Sequence, residues 1–147
     1  MATMRVLIEN EAGSTTKRTY DERTLALVSQ AEVSAAYPYP YGFAIGTRSG
    51  DGDAVDCFVL TGRPLASGSV VECTPVALLE QIEDGETDHK VLAVLVGDQA
   101  TIDEQALVAI KAFIARVFAH VPGKTMTIGR LLDRQTAEAF LRSCQAQ

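Results

Sequence analysis

Asp51, Asp53 and Asp56 stand within six residues of one another in the stretch Gly50-Asp51-Gly52-Asp53-Ala54-Val55-Asp56, and the apolar run Cys57 to Leu60 follows at once. The two glycines mark a turn and the apolar run a buried strand, so three carboxylates gather where a turn enters a strand. In an extended segment Asp51 and Asp53 share one side, and a bend is needed to bring Asp56 to them. Clustered carboxylates repel one another. A hard divalent cation offsets that repulsion, and carboxylate oxygen is what magnesium prefers. An isolated Asp-Gly-Asp turn is more often a solvated surface feature, so the rest of the chain must decide. A calcium loop of the EF-hand kind fits poorly. That loop asks for Asp or Asn, then Gly, with Glu at its end, where this chain has Val55, Asp56 and Gly62.

Other stretches carry chemistry of the same type. Glu80, Glu83, Asp84, Glu86 and Asp88 form a second acidic stretch, which passes through His89-Lys90 into the apolar run Val91 to Val96. It reads either as a solvated hairpin loop or as a second bank of carboxylates facing the first across a small barrel. In Tyr37-Pro38-Tyr39-Pro40-Tyr41-Gly42-Phe43 the prolines bar regular helix and central strand pairing. Its tyrosines can floor a pocket with apolar rings and polar tips, or simply pack a rigid loop. Glu9 and Lys17 flank a polar turn, and pattern alone makes them surface charges. His89 and His120 read as surface residues, and no Walker-type glycine loop is present.

These residues need strands to position them. Strands are predicted at Arg5–Glu9, Lys17–Tyr20, Leu25–Val28, Cys57–Thr61, Gly68–Cys73, Val76–Leu79 and Val91–Val96, with a short one at 125–129. Asp21-Glu22-Arg23 supplies a bend between the second and third. Thr101 with Glu104 fits a capping box. Leu107, Ile110, Phe113, Ile114 and Val117 recur at helical spacing, so a helix is expected over 103–119 and a final one over 136–144. Many short strands followed by helices give an α+β class, a small OB-like β-barrel with a long and a short C-terminal helix packed on it.

At 147 residues, nearly half of them apolar, the chain is expected to be one domain, 1–147, with a real core. The net charge of −6 argues against nucleic acid as a partner. No apolar run approaches a membrane span, and Met1-Ala2-Thr3-Met4-Arg5 lacks a signal peptide's apolar segment, so a cytoplasmic protein is expected. Cys57, Cys73 and Cys144 lack metal-site spacing and read as reduced packing residues.

With these pieces placed, the chain resembles the soluble magnesium-dependent inorganic pyrophosphatases. Their signature Asp-x-Asp-Pro-x-Asp is met by Asp51 to Asp56 with Ala54 for the proline, and Tyr-Pro-x-x-Tyr-Gly-Phe by Tyr37 to Phe43. Glu9, Gly13-Ser14 and Lys17 match the N-terminal motif, and Asp88-His89-Lys90 matches Asp-x-Lys. The resemblance covers essentially the whole chain. It implies Asp51, Asp56 and Asp88 as metal ligands, with Glu83 (or Asp84 if the loop is realigned) and Glu9 as further ones. It implies Asp53 as the general base or the residue orienting the attacking water, and Lys17, Tyr41 and Lys90 as phosphate contacts. It implies magnesium as cofactor, with manganese or zinc as alternatives, pyrophosphate as substrate, and a homo-oligomer, a hexamer.

Three departures fall on the phosphate side. Where the family has a phosphate-gripping Arg, this chain has Ser29, and where it has a Tyr-Lys pair, Phe118 and Ala119. The family's Glu near the second strand is Thr19. Arg48, Arg63, Lys124 and Arg130 are candidate replacements. The expected function is metal-dependent hydrolysis of pyrophosphate to two phosphates. The departures keep two alternatives open, a weakly catalytic binding module for a phosphorylated ligand or protein, and a hydrolase of a larger phosphoanhydride.

Overall fold

The computed structural model describes residues 2–99 and 101–146. In chain order its elements are β1 (Met4–Asn10), β2 (Thr16–Tyr20), β3 (Leu27–Glu32), β4 (Tyr41–Ala44), β5 (Asp56–Val59), β6 (Val70–Glu83), β7 (Glu86–Thr87), β8 (Lys90–Leu95), α1 (Glu104–Arg116), β9 (Met126–Leu132) and α2 (Arg134–Ser143). Five strands close a barrel. β1 pairs β4, β4 pairs β5, β5 pairs β8, β8 pairs β6, and β6 returns to β1. All these pairings are antiparallel except β5 with β8. The expected small barrel with two C-terminal helices is the fold found.

Closure depends on one close approach. A Cβ on Gly42 would lie 1.7 Å from the backbone oxygen of Leu7, so only glycine lets β4 press against β1 there. The barrel interior is apolar, with Val6, Ile8, Val55, Cys57, Val59, Cys73, Val91 and Ala93 in one cluster. α2 closes that cluster with Ala137. α1 covers a second one, packing Ile110, Phe113 and Ile114 against Tyr37, Phe58, Leu79 and Leu92. Cys57, Cys73 and Cys144 are buried free thiols, as packing residues should be.

The largest correction concerns β6. Two strands were expected around Pro75, but the 14 residues from Val70 to Glu83 form one. Pro75 lies beside a bulge between Pro75 and Ala77 in the pairing with β8, where a missing N–H is tolerated. The bent strand pairs four others, β7 among them through Ile82 and Glu83. Val70–Cys73 meets β1, Cys73–Leu79 meets β8, and Leu78–Glu83 meets β9. Glu80 and Glu83 therefore belong to a strand, and only residues beyond them turn.

Smaller corrections have local causes. Leu25 has φ 62° and sits in the turn, so β3 starts at Leu27. A strand, β4, begins immediately after Pro40, where the prolines had argued against one. Asp103 caps α1 by accepting the Ala106 N–H at 2.7 Å, in place of the expected Thr101 box, and the helix ends at Arg116. Asp133 caps α2 in the same way, through the Thr136 N–H at 2.9 Å. Among the described residues no helix is long and apolar enough to cross a membrane.

Candidate active site

Glu9, Lys17, Tyr41, Asp51, Asp53, Asp56, Glu83, Asp88 and Lys90 all line one cavity of about 250 Å³. Six separate stretches of chain deliver them. Glu9 comes from β1, Lys17 from β2 and Tyr41 from the start of β4. Asp51 and Asp53 occupy the turn before β5, Asp56 opens β5, Glu83 ends β6, Asp88 precedes β8, and Lys90 opens it. Asp84 turns away and accepts the Thr125 N–H at 2.9 Å, so Glu83 is the residue of that pair on the cavity.

The parallel pairing of β5 with β8 sets the centre. Asp56 lies in register with Lys90. The Lys90 ammonium donates to Asp56 Oδ2 at 2.7 Å and to Asp88 Oδ2 at 3.0 Å, and the residue is only 5% exposed. Burial alone would lower the Lys90 pKa, but the two carboxylates together raise it, so the group stays charged. One ammonium cannot neutralise two partly buried carboxylates. Burial, with Asp56 adding repulsion and Lys90 opposing, lifts the Asp88 carboxyl to about 7.

The aspartate turn is held from within. Asp51 Oδ1 accepts from Ser49 Oγ at 2.6 Å and from the Asp53 N–H at 3.0 Å. The Asp53 side chain is left facing the cavity, with its pKa raised by burial and by the charges of Asp51 and Asp56. Glu9 accepts the Tyr20 N–H at 3.0 Å, which ties β1 to β2, and burial raises its carboxyl to about 7. The floor is aromatic. Tyr37 lies 5.4 Å from Tyr41 and 4.5 Å from Phe113, ring centre to ring centre, and Tyr41 lies 4.8 Å from Phe58. Burial raises the Tyr41 phenol well above its ordinary value, so it remains a hydrogen-bond donor.

Sequence reasoning missed Glu22, which it placed only in a bend. Its carboxylate lines the cavity and accepts the Ala54 N–H at 3.0 Å, joining the hairpin to the aspartate turn. No local pattern distinguishes it from a solvated bend residue. Of the four candidate cations, Lys124 alone lines the cavity among the described residues. Arg63 pairs with Asp98 at 3.7 Å, Arg130 with Glu80 at 2.9 Å, and Arg48 lies in a separate surface depression. His89 accepts the Gln81 N–H and His120 meets Ser34, both outside the cavity.

The donor set fits a hard divalent cation. Seven carboxylates line the cavity, Glu9, Glu22, Asp51, Asp53, Asp56, Glu83 and Asp88, with no histidine or cysteine among the lining residues described. Burial and mutual repulsion raise several of them, and a cation would relieve that. Among the described residues they do not already stand in a closed cage, and Lys90 lies between two of them.

The family model of inorganic pyrophosphatase matches residues 6–147. The inorganic pyrophosphatase of Nanoarchaeum equitans (strain Kin4-M) is 30% identical over 148 aligned positions, covering 94% of this chain and 92% of that protein. That of a Synechocystis strain is 39% identical over 93 residues, which span 62% of this chain and 55% of that protein. Among solved structures, the inorganic pyrophosphatase from Thermus thermophilus superposes with a TM-score of 0.87 at 30% identity, covering 97% of this chain and 88% of that one. The one from Helicobacter pylori gives 0.86 at 26% identity, covering 97% and 91%.

Proposed function

This chain belongs to the inorganic pyrophosphatase family, and we propose that it hydrolyses inorganic pyrophosphate to two phosphates with magnesium as its cation. The observation that carries this reading is the convergence of acid, base and ammonium groups from six stretches of chain on one cavity. Asp51, Asp56 and Asp88 would hold the cation, with Glu83 and Glu9 as further ligands. When bound, it would supply Lewis-acid polarisation of phosphoryl oxygen and a lowered pKa for water. Family membership implies a divalent metal. The all-oxygen donor set favours magnesium over zinc.

The chain's own residues account for the rest. Asp53 takes the proton from the attacking water as its oxygen bonds to phosphorus and the bridging P–O bond breaks, the electron pair leaving with the second phosphate. The raised pKa of Asp53 suits a group that must accept this proton. Lys90 carries three donors and gives two to Asp56 and Asp88, which leaves one for a phosphate oxygen. Tyr41 donates its phenol proton and Lys17 its charge to the same anion. Tyr37, Phe58 and Phe113 keep the floor dry, which strengthens each of these contacts.

Asp53→Asn tests the assignment. Phosphate release should fall about 10²- to 10⁴-fold with the melting temperature unchanged. Release equal to the parent would remove Asp53 from its role. No release by the parent protein with magnesium, manganese or zinc would overturn hydrolysis and leave a binding role. We further propose a homo-oligomer, by family likeness, to be tested by light scattering, and a cytoplasmic setting, consistent with three buried reduced thiols.

A further inference from the structure

Phe118 stands where the family resemblance implies a phenol, and its ring meets two ammonium groups. Lys17 Nζ lies 5.1 Å from the ring centroid and Lys124 Nζ 4.7 Å. Both distances are within the range over which an aromatic face attracts a cation. The two lysines come from different parts of the chain, Lys17 from β2 and Lys124 from the segment between α1 and β9. Brought together in the open they would repel each other, and a ring attracts both. The carboxylates nearest Lys124 are loose partners, Glu83 at 3.7 Å and Asp84 at 3.8 Å, too far for direct hydrogen bonds. All three residues of the group line the cavity. The segment after β3 is tied to the one that carries Phe118 and Lys124, Ser34 donating its N–H to the Val117 carbonyl at 3.0 Å while its hydroxyl meets His120 Nδ1 at 2.5 Å.

We propose that Phe118 is a positioning residue, its ring holding the ammonium groups of Lys17 and Lys124 together as the phosphate-gripping side of the cavity. Lys124 supplies a charge that Ser29, Phe118 and Ala119 lack, beside Lys17, which the resemblance already places on phosphate. The identity of the anion rests on the pyrophosphatase reading. The pair itself would recognise phosphate oxygens in general. Two ammonium groups lack the planar fork of an arginine, so this grip works through charge more than through fixed geometry.

Phe118→Leu removes the aromatic faces and keeps apolar bulk, while Phe118→Trp keeps the faces. The measurements are KM and kcat for pyrophosphate with magnesium, and the Kd of inorganic phosphate by titration calorimetry in the same buffer. Phe118→Leu should raise both KM and the phosphate Kd about threefold to tenfold, with kcat within about twofold. Phe118→Trp should restore both constants. Lys124→Met should raise them similarly, and the double variant should show less than the product of the two effects, because they share one interaction. The proposal is overturned if Phe118→Leu leaves both constants within about twofold of the parent. It is equally overturned if Phe118→Trp is as impaired as Phe118→Leu, or if the single effects multiply in full. Absence of turnover in the parent would defeat hydrolysis alone, and the phosphate titrations would still decide the role of Phe118.

Discussion

Asp56 and Lys90 open neighbouring parallel strands of a closed barrel, whereas Lys17 stands on a separate two-stranded ribbon and Lys124 on the segment that leaves α1. The first pair is fixed by backbone register with a buried apolar cluster beneath it. The second is fixed by side-chain contacts, chiefly the ring of Phe118. β3, the outer strand of the ribbon, is exposed along its whole length. A wall built on register can change only with the barrel, while a wall built on side chains can exchange one cation for another. The three phosphate-side departures from the family pattern fall there. Asp56, Asp88 and Lys90 stand on the rigid wall, and Ser29, Phe118 and Ala119 belong to the adaptable side.

The comparison can be broken from the rigid side first. Gly42→Ala should cost more than about 4 kcal/mol or prevent folding, because its Cβ would meet the Leu7 backbone. Denaturant titration checks this, and a stable Gly42→Ala protein would mean that the barrel yields. Lys90→Met should destabilise the metal-free protein by about 3 kcal/mol, since Asp56 and Asp88 lose their shared buried cation. Added magnesium should recover part of that loss by offsetting the same charges. Unchanged stability without metal would count against the rigid wall.

The adaptable side should respond more mildly. Ser29 lies directly opposite Thr19 in the ribbon, and Thr19 lines the cavity. Directly paired residues point to the same face, so Ser29→Arg would carry a guanidinium over the cavity. It should lower KM for pyrophosphate about threefold to tenfold. Stability should change by no more than about 0.5 kcal/mol. An unchanged KM would show that the ribbon is less free than its exposure suggests.

Some of this was legible in the chain alone. The Asp51–Asp53–Asp56 turn, the Asp88-x-Lys90 motif and the order of strands and helices are local patterns of residue type and spacing. Residue chemistry and short-range periodicity fix such patterns without reference to the rest of the molecule. The same reading misplaced Pro75, because a proline looks like a strand end until a bulge accommodates it. It also passed over Glu22, whose partner Ala54 lies 32 residues away.

The tertiary structure alone decided which groups meet. Asp56 and Lys90 are 34 residues apart, and the parallel register of β5 and β8 brings them to 2.7 Å. Lys124 was one of four equivalent candidates in the sequence, and the path of the chain after α1 selects it. Sequence determined the inventory of carboxylates and cations because side-chain chemistry travels with the residue. Barrel closure determined their convergence, because distance across a closed sheet depends on every strand pairing at once.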